Sequence, residues 1–209
     1  MKIFFFTLLL TLTFIFGHTQ DQKTIGDCTA TFSITSNQAA TNSNLTGAVK
    51  TLYVSSKLVR VDITSTAFTQ SVIYNSSTGE AVMLKEMGGN KYMTKVDAEK
   101  YKQQNSRYDG MKVAFTGEAK TILGYECKKG TAQLKDGSSF TFFYTVSIKP
   151  SATENPYQFK DIPGFVLEYE IIGENKTSKI TYTATRINFN PVPASKFDIP
   201  TSGYRVLPN

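Results

Sequence analysis

The chain has 209 residues, 40% of them hydrophobic and 19% charged, with only 7 Pro and 14 Gly. That composition excludes a disordered or collagen-like chain and makes one domain the expectation. The net charge of +6 comes from dispersed residues, with Lys128-Lys129 the one adjacent basic pair, whereas nucleic-acid binding needs a clustered basic stripe with interleaved aromatics. Nucleic acid is therefore not an expected partner.

Met1 and Lys2 precede 14 residues, 3–16, that are apolar or Thr. A minimal basic start, an apolar run too short to cross a bilayer, and the small residues Gly17 and Thr19 around His18 read as a secretory signal peptide, residues 1–19, cleaved before Gln20. An uncleaved anchor is the alternative. No cysteine stands at the cleavage point, which argues against lipidation. No apolar run in the mature chain, 20–209, approaches membrane-spanning length. The mature protein is expected in the periplasm, at the cell surface or secreted. It would carry 22 basic residues against 17 acidic ones and a net charge of +5. His18 is the one histidine, so the mature chain has no imidazole for base catalysis, nucleophile activation or metal ligation.

From Asp27 onward, alternation with period two recurs between turn signals, which predicts antiparallel sheet. Strands are expected at 28–35, at 47–55 and 57–64 as a hairpin, at 68–75, and at 81–86 and 91–94 around Gly88-Gly89-Asn90. More follow at 111–116, 124–134, 139–148, 165–172 and 179–189, with Asp136-Gly137 marking one hairpin. A single helix is expected at 95–105, Thr94 as its N-cap and Asp97 three residues on. Its thin apolar face of Val96, Ala98 and Tyr101 suits either a surface helix or a lid. Residues 150–164 read as a loop, and the proline-rich tail from 191 as a strap with Phe197, Ile199 and Val206 tucked down. The fold class is all-β with minor α, in one domain spanning 20–209.

Cys28 shares an inward face with Ala30, Phe32 and Ile34, and Cys127 shares one with Leu123 and Tyr125. In an oxidising compartment an even count permits a Cys28–Cys127 disulfide; two separately buried thiols are the alternative. Enzyme templates fail: serines have no base beside them, and the acids form no calcium loop. Glu168 and Glu170 share an outward strand face and read as solvated. Neither a metal, a cofactor nor catalysis is expected. The acceptor patterns at Asn44, Asn75 and Asn175 matter only if the source organism glycosylates.

The aromatics carry the most information. Phe140, Phe142 and Tyr144 on one strand and Phe165, Leu167 and Tyr169 on another form an apolar stripe. It is either ordinary core or the wall of a concavity that takes an acyl chain or similar ligand.

Three segments carry a family resemblance. Residues Asp161-Ile162-Pro163-Gly164-Phe165-Val166-Leu167-Glu168 resemble the motif naming the GLPGLI family of Bacteroidota, with Asp161 in place of the first glycine and Phe165-Val166 in place of Leu-Ile. The stretch from Thr121 to Lys129, followed by Leu134-Lys135-Asp136-Gly137, and the segment Pro193 to Pro200 are similar to exported proteins of a LolA-like group. The resemblance implies a LolA-like half-open antiparallel β-barrel around a helical element, the architecture of periplasmic lipoprotein carriers, and no catalytic residue. A non-enzymatic protein binding a lipid or other hydrophobic ligand is therefore expected. The alternative is an envelope protein–protein interaction module with a self-filled core.

Overall fold

The structure, a computed structural model, describes residues 21–37, 45, 47–172 and 178–209. The signal-peptide expectation and the acceptor sites at Asn44 and Asn175 lie outside these residues. The described chain is strand-dominated, as expected, with a single α-helix. Its strands are β1 (Lys23–Ile25), β2 (Asp27–Ser36), β3 (Val49–Ser55), β4 (Leu58–Thr64), β5 (Phe68–Asn75), β6 (Ala81–Met87), β7 (Asn90–Val96), β8 (Lys112–Ile122), β9 (Tyr125–Gln133), β10 (Ser139–Thr145), β11 (Ile148–Pro150), β12 (Phe165–Ile172), β13 (Lys179–Asn188) and β14 (Arg205–Val206).

Twelve strands form one open sheet in the order β14-β7-β6-β5-β4-β3-β2-β13-β12-β10-β9-β8, and β1 pairs with β11 apart from it. The ends β14 and β8 do not meet, so the sheet is a half-open barrel rather than a closed one. Consecutive hairpins build β2 through β7. A longer return then places β13 beside β2, where Ser33 pairs with Thr183. Gly124 and Gly137 adopt the left-handed backbone that tight hairpins require. The strand expected over 139–148 breaks after Thr145 into β10 and β11. Ser147 N donates to Thr145 Oγ1 at this point.

The helix α1 (Ala98–Gln104) starts later than expected. Asp97, not Thr94, is its N-cap, accepting from Lys100 N at 2.8 Å. Lys95 and Val96 belong to β7, where Val96 pairs with Ala81 and is buried. A ladder bond plus a buried Val side chain outweighs one more helical turn, which a β-branched residue favours little.

The concave face holds the main core. It is plugged by α1 and the loop 151–164: Tyr101 lies on Tyr74 of β5 at 5.2 Å, Tyr157 meets Tyr101 edge-on at 5.9 Å, and Phe159 meets Tyr169 of β12 at 5.2 Å. Asn155 Nδ2 donates to Asn105 Oδ1, tying loop to helix. Gly164 closes the loop onto the sheet, since a Cβ there would lie 2.0 Å from the Thr145 carbonyl oxygen. The segment 161–168 is thus built around a close backbone approach.

On the convex face, Ile73, Val82, Leu84 and Met93 are covered by Val192 and Phe197 of the tail. Arg60 donates to the Lys196 carbonyl at 2.9 Å, and β14 pairs with β7. The tail is a strap as expected, but Ile199 and Val206 are exposed, at 43% and 60%. Tyr204 packs against that outer cluster.

Both cysteines point inward and are buried, but the expected Cys28–Cys127 bridge is not formed; both thiols are free. Strands β13, β12 and β10 stand between β2 and β9. Along the sheet that is four spacings of about 4.8 Å, while a disulfide needs Cα atoms within about 7 Å. Burial pushes the Cys28 thiol up to about 12 and the Cys127 thiol up to about 11.

Candidate functional site

The six stripe residues come together, but as packed core. Phe142 and Leu167 are fully buried, and Phe140, Tyr144, Phe165 and Tyr169 are nearly so. The Phe140, Phe142 and Tyr144 rings follow one another at 6.2 and 5.9 Å. Phe142 crosses Gly130 of β9 so closely that a Cβ there would meet its ring at 2.3 Å. The cavity beside Phe165 measures about 20 Å³, room for about one water. The cavity beside Phe140 measures about 100 Å³.

Two features at the concave face are more distinctive. The first is a buried ammonium. Lys50, on β3, is 1% exposed and takes the inward register between Ala48 and Leu52. Its Nζ lies 4.2 Å from the centre of the Phe32 ring, 4.8 Å from Tyr169 and 5.5 Å from Tyr182. It donates to the Tyr169 hydroxyl at 3.1 Å and pairs with the Glu154 carboxylate, which the plug loop brings down. Tyr182 stacks flat on Tyr169 at 4.7 Å. Burial pulls the Lys50 ammonium below its ordinary range, opposed by Glu154. The same burial holds Tyr169 well above the usual phenol range and Tyr182 at about 12. An amine, a carboxylate and a phenol in contact could exchange protons, and the adjoining cavity measures about 20 Å³ with Glu154 in place.

The second is the concave face of β4 through β7, where the hairpin register sets up three cross-strand rows. Val59, Tyr74, Ala81 and Val96 form the first row and are buried beside α1. Val61, Val72, Met83 and Thr94 form the second row, half-buried. Ile63, Gln70, Lys85 and Tyr92 form the third, with Gln70 and Lys85 exposed. Burial therefore falls away from the helix. Where it ends, Gln70, Met83, Lys85, Met87, Tyr92 and Leu207 line a groove of about 360 Å³. The third row continues past Ile63 directly to Lys50, its register partner on β3.

The outward carboxylates are engaged elsewhere. Glu168 accepts from Lys120 Nζ at 2.6 Å and Thr183 Oγ1 at 3.0 Å, and Glu170 from Thr141 Oγ1 at 2.9 Å. Among the described residues no group of three His, Cys, Asp or Glu side chains could hold a metal ion. Lys50 left a sequence signal, a lysine interrupting the apolar alternation of Ala48, Leu52 and Val54. Glu154 left none, because a loop residue has no face until the loop is placed.

No protein-family model matches the chain, and no curated protein does. Solved structures with a loose likeness in shape include that of PNGF-II, at 16% identity and TM-score 0.49, covering 88% of this chain and 31% of that one. This chain thus spans about a third of the length of that relative. An uncharacterized conserved protein from Thermus thermophilus matches at 6% identity and TM-score 0.43, covering 88% and 90% of the two chains. A putative outer membrane lipoprotein-sorting protein domain from Vibrio parahaemolyticus matches at 9% identity and TM-score 0.24, covering 83% and 89%.

Proposed function

We propose that this is an exported, non-enzymatic protein that holds a lipid or other apolar ligand on the concave face of its half-open barrel, in the groove of β5 to β7 rather than on the aromatic stripe. The observation carrying this reading is the uncovered pair of rows. Val61, Ile63, Val72 and Met83 remain half-buried where α1 stops. A groove of about 360 Å³ opens at Met83, the one of the four nearest the sheet edge, within the range that accepts small apolar ligands. Lys85 stands exposed at its rim. Export rests on the pattern of residues 1–19 and on the resemblance to GLPGLI-related proteins.

The test is displacement of a fluorescent fatty acid from purified mature protein, with Met83→Asp as the variant. An unpaired carboxylate in that wall is costly to desolvate when a ligand covers it, yet the site is open enough for the fold to survive, as circular dichroism would verify. Micromolar binding by the wild type and loss in the variant support the reading. Absence of binding by a folded wild type overturns it and favours an interaction module. That second reading has an observation of its own: β8 is an 11-residue edge strand on which Phe115 stands 49% exposed, a surface suited to strand addition.

A further inference from the structure

We infer that Lys50 is the anchor for the anionic end of the ligand, and that Glu154 occupies this anchor as a built-in carboxylate surrogate. The inference rests on the lipid-binding reading and names the ligand class within it: an amphiphile with a carboxylate end.

Three observations carry it. First, Lys50 belongs to the same cross-strand row as the groove: Tyr92, Lys85, Gln70, Ile63 and Lys50 are successive register partners across β7, β6, β5, β4 and β3. From Lys85 to Lys50 is three strand spacings, about 14 Å, a distance an extended acyl chain spans past exposed Gln70 and over half-buried Ile63, alongside the half-buried Val61, Val72 and Met83 of the neighbouring row. Second, the ammonium is prepared for a carboxylate that can be exchanged. Phe32, Tyr169 and Tyr182 surround it with ring faces, and the Tyr169 hydroxyl accepts a hydrogen bond from it. These contacts all come from the sheet. Among the described residues, the one carboxylate paired with it comes from the loop 151–164, lies outside every strand and is 12% exposed while Lys50 is 1% exposed. Third, a buried ion pair roughly breaks even against apolar packing, so its value to stability alone is small. Trading one carboxylate for another, by contrast, leaves the charge in the box unchanged. An apolar ligand without an acid end has nothing to offer Lys50 and would leave Glu154 seated.

The experiment compares dodecanoate with dodecanol, each displacing the same neutral fluorescent probe, on wild-type protein, Lys50→Met and Glu154→Gln. Unliganded thermal unfolding is recorded for each. The wild type should prefer the acid at least tenfold. Lys50→Met should lose that preference while keeping its affinity for the alcohol. Glu154→Gln, which frees the anchor of its competitor, should bind the acid about tenfold more tightly than wild type and the alcohol unchanged. Should Glu154→Gln not fold, Glu154→Asp, with its shorter carboxylate, should show a smaller gain in the same direction. Should Lys50→Met not fold, the wild-type ratio decides, tenfold or more supporting the anchor and near unity overturning it. Equal binding of acid and alcohol by every folded protein overturns the anchor and leaves the lipid reading standing. Binding of neither compound by any of them removes the lipid reading itself.

Discussion

The central strands and the strands β4 to β7 belong to one sheet, yet they solve the problem of burial in opposite ways. In β2 and β13 the convex face is Thr29, Thr31, Ser33, Thr181 and Thr183, while the concave face is Cys28, Ala30, Phe32, Ile34, Tyr182 and Ala184. One covering layer is enough there, and the loop 151–164 provides it, through Glu154 on Lys50 and Phe159 on Tyr169, whose ring stacks on Tyr182. In β5 to β7 both faces are apolar: Val72 and Met83 look inward, Ile73, Val82, Leu84 and Met93 outward. Such strands need two covers. The tail supplies the outer one, and the inner one stops short of the second and third rows. With α1 packed on the first row alone, through Tyr101 on Tyr74, the arm is left with apolar wall to share, and that difference locates the candidate groove.

Substitutions can break or sharpen this contrast. The largest expected effect is at the fully covered centre: Phe142→Ala should cost about 3 to 5 kcal/mol, read as a lower urea midpoint with the fold lost near physiological temperature. Replacing Phe197, the tail's main contact with the arm, by Ala should cost about 3 kcal/mol and expose the tail to limited proteolysis while the concave core persists. Met83→Asp should change stability by about 1 kcal/mol or less if the second row is as open as described. A loss as large as that of Phe142→Ala would show the arm to be closed. Val206→Ala, on a 60% exposed side chain, should fall within about 0.5 kcal/mol of wild type in the same urea series.

The covered region should also declare itself at high pH. Burial, followed by its tyrosine neighbours, lifts Tyr101 to about 12, and burial with Glu154 nearby lifts Tyr182 to about 12. Because an unfolded tyrosine ionises near pH 10, the stability gained by keeping these phenols neutral is complete below pH 10 and is lost as pH rises from there towards 12. Urea unfolding at pH 9 and pH 11 should show the loss. Ultraviolet titration should resolve late-ionising phenols from the exposed ones. Equal midpoints at the two pH values would show that the plug does not seal these residues.

Alternation was a sound guide wherever one strand face was enough to reveal the other. The 68–75 and 165–172 strands appear at the expected bounds, and the inward register of Phe140, Phe142, Tyr144, Leu167 and Tyr169 follows from period two alone. The failures share a cause, that long-range closure decides between locally equal options. Val96 could continue a strand or begin a helix, and its pairing with Ala81 decided it. The cysteines share a face, but face says nothing of how many strands lie between them. The stripe could line a space or fill one; the loop that fills it carries its polar contact, Glu154, at a position without periodicity. Lys50 was visible as an interruption, and only its partner made it a site.

The placement of β13 has a consequence in time as well as in space. Strands β3 to β7 follow one another through short turns and can zip as the chain is delivered. The inner edge of β2, by contrast, waits for a partner in which Thr183 stands 150 residues beyond Ser33. Contacts of that separation slow folding and leave an unpaired strand exposed meanwhile. The inner edge of β2 is therefore sealed only once β13 has been made, and the pair of Lys50 with Glu154 waits likewise for the loop 151–164. Until that moment the molecule is a β meander with an open edge, which makes its late third the part whose truncation should convert a folding protein into an aggregating one.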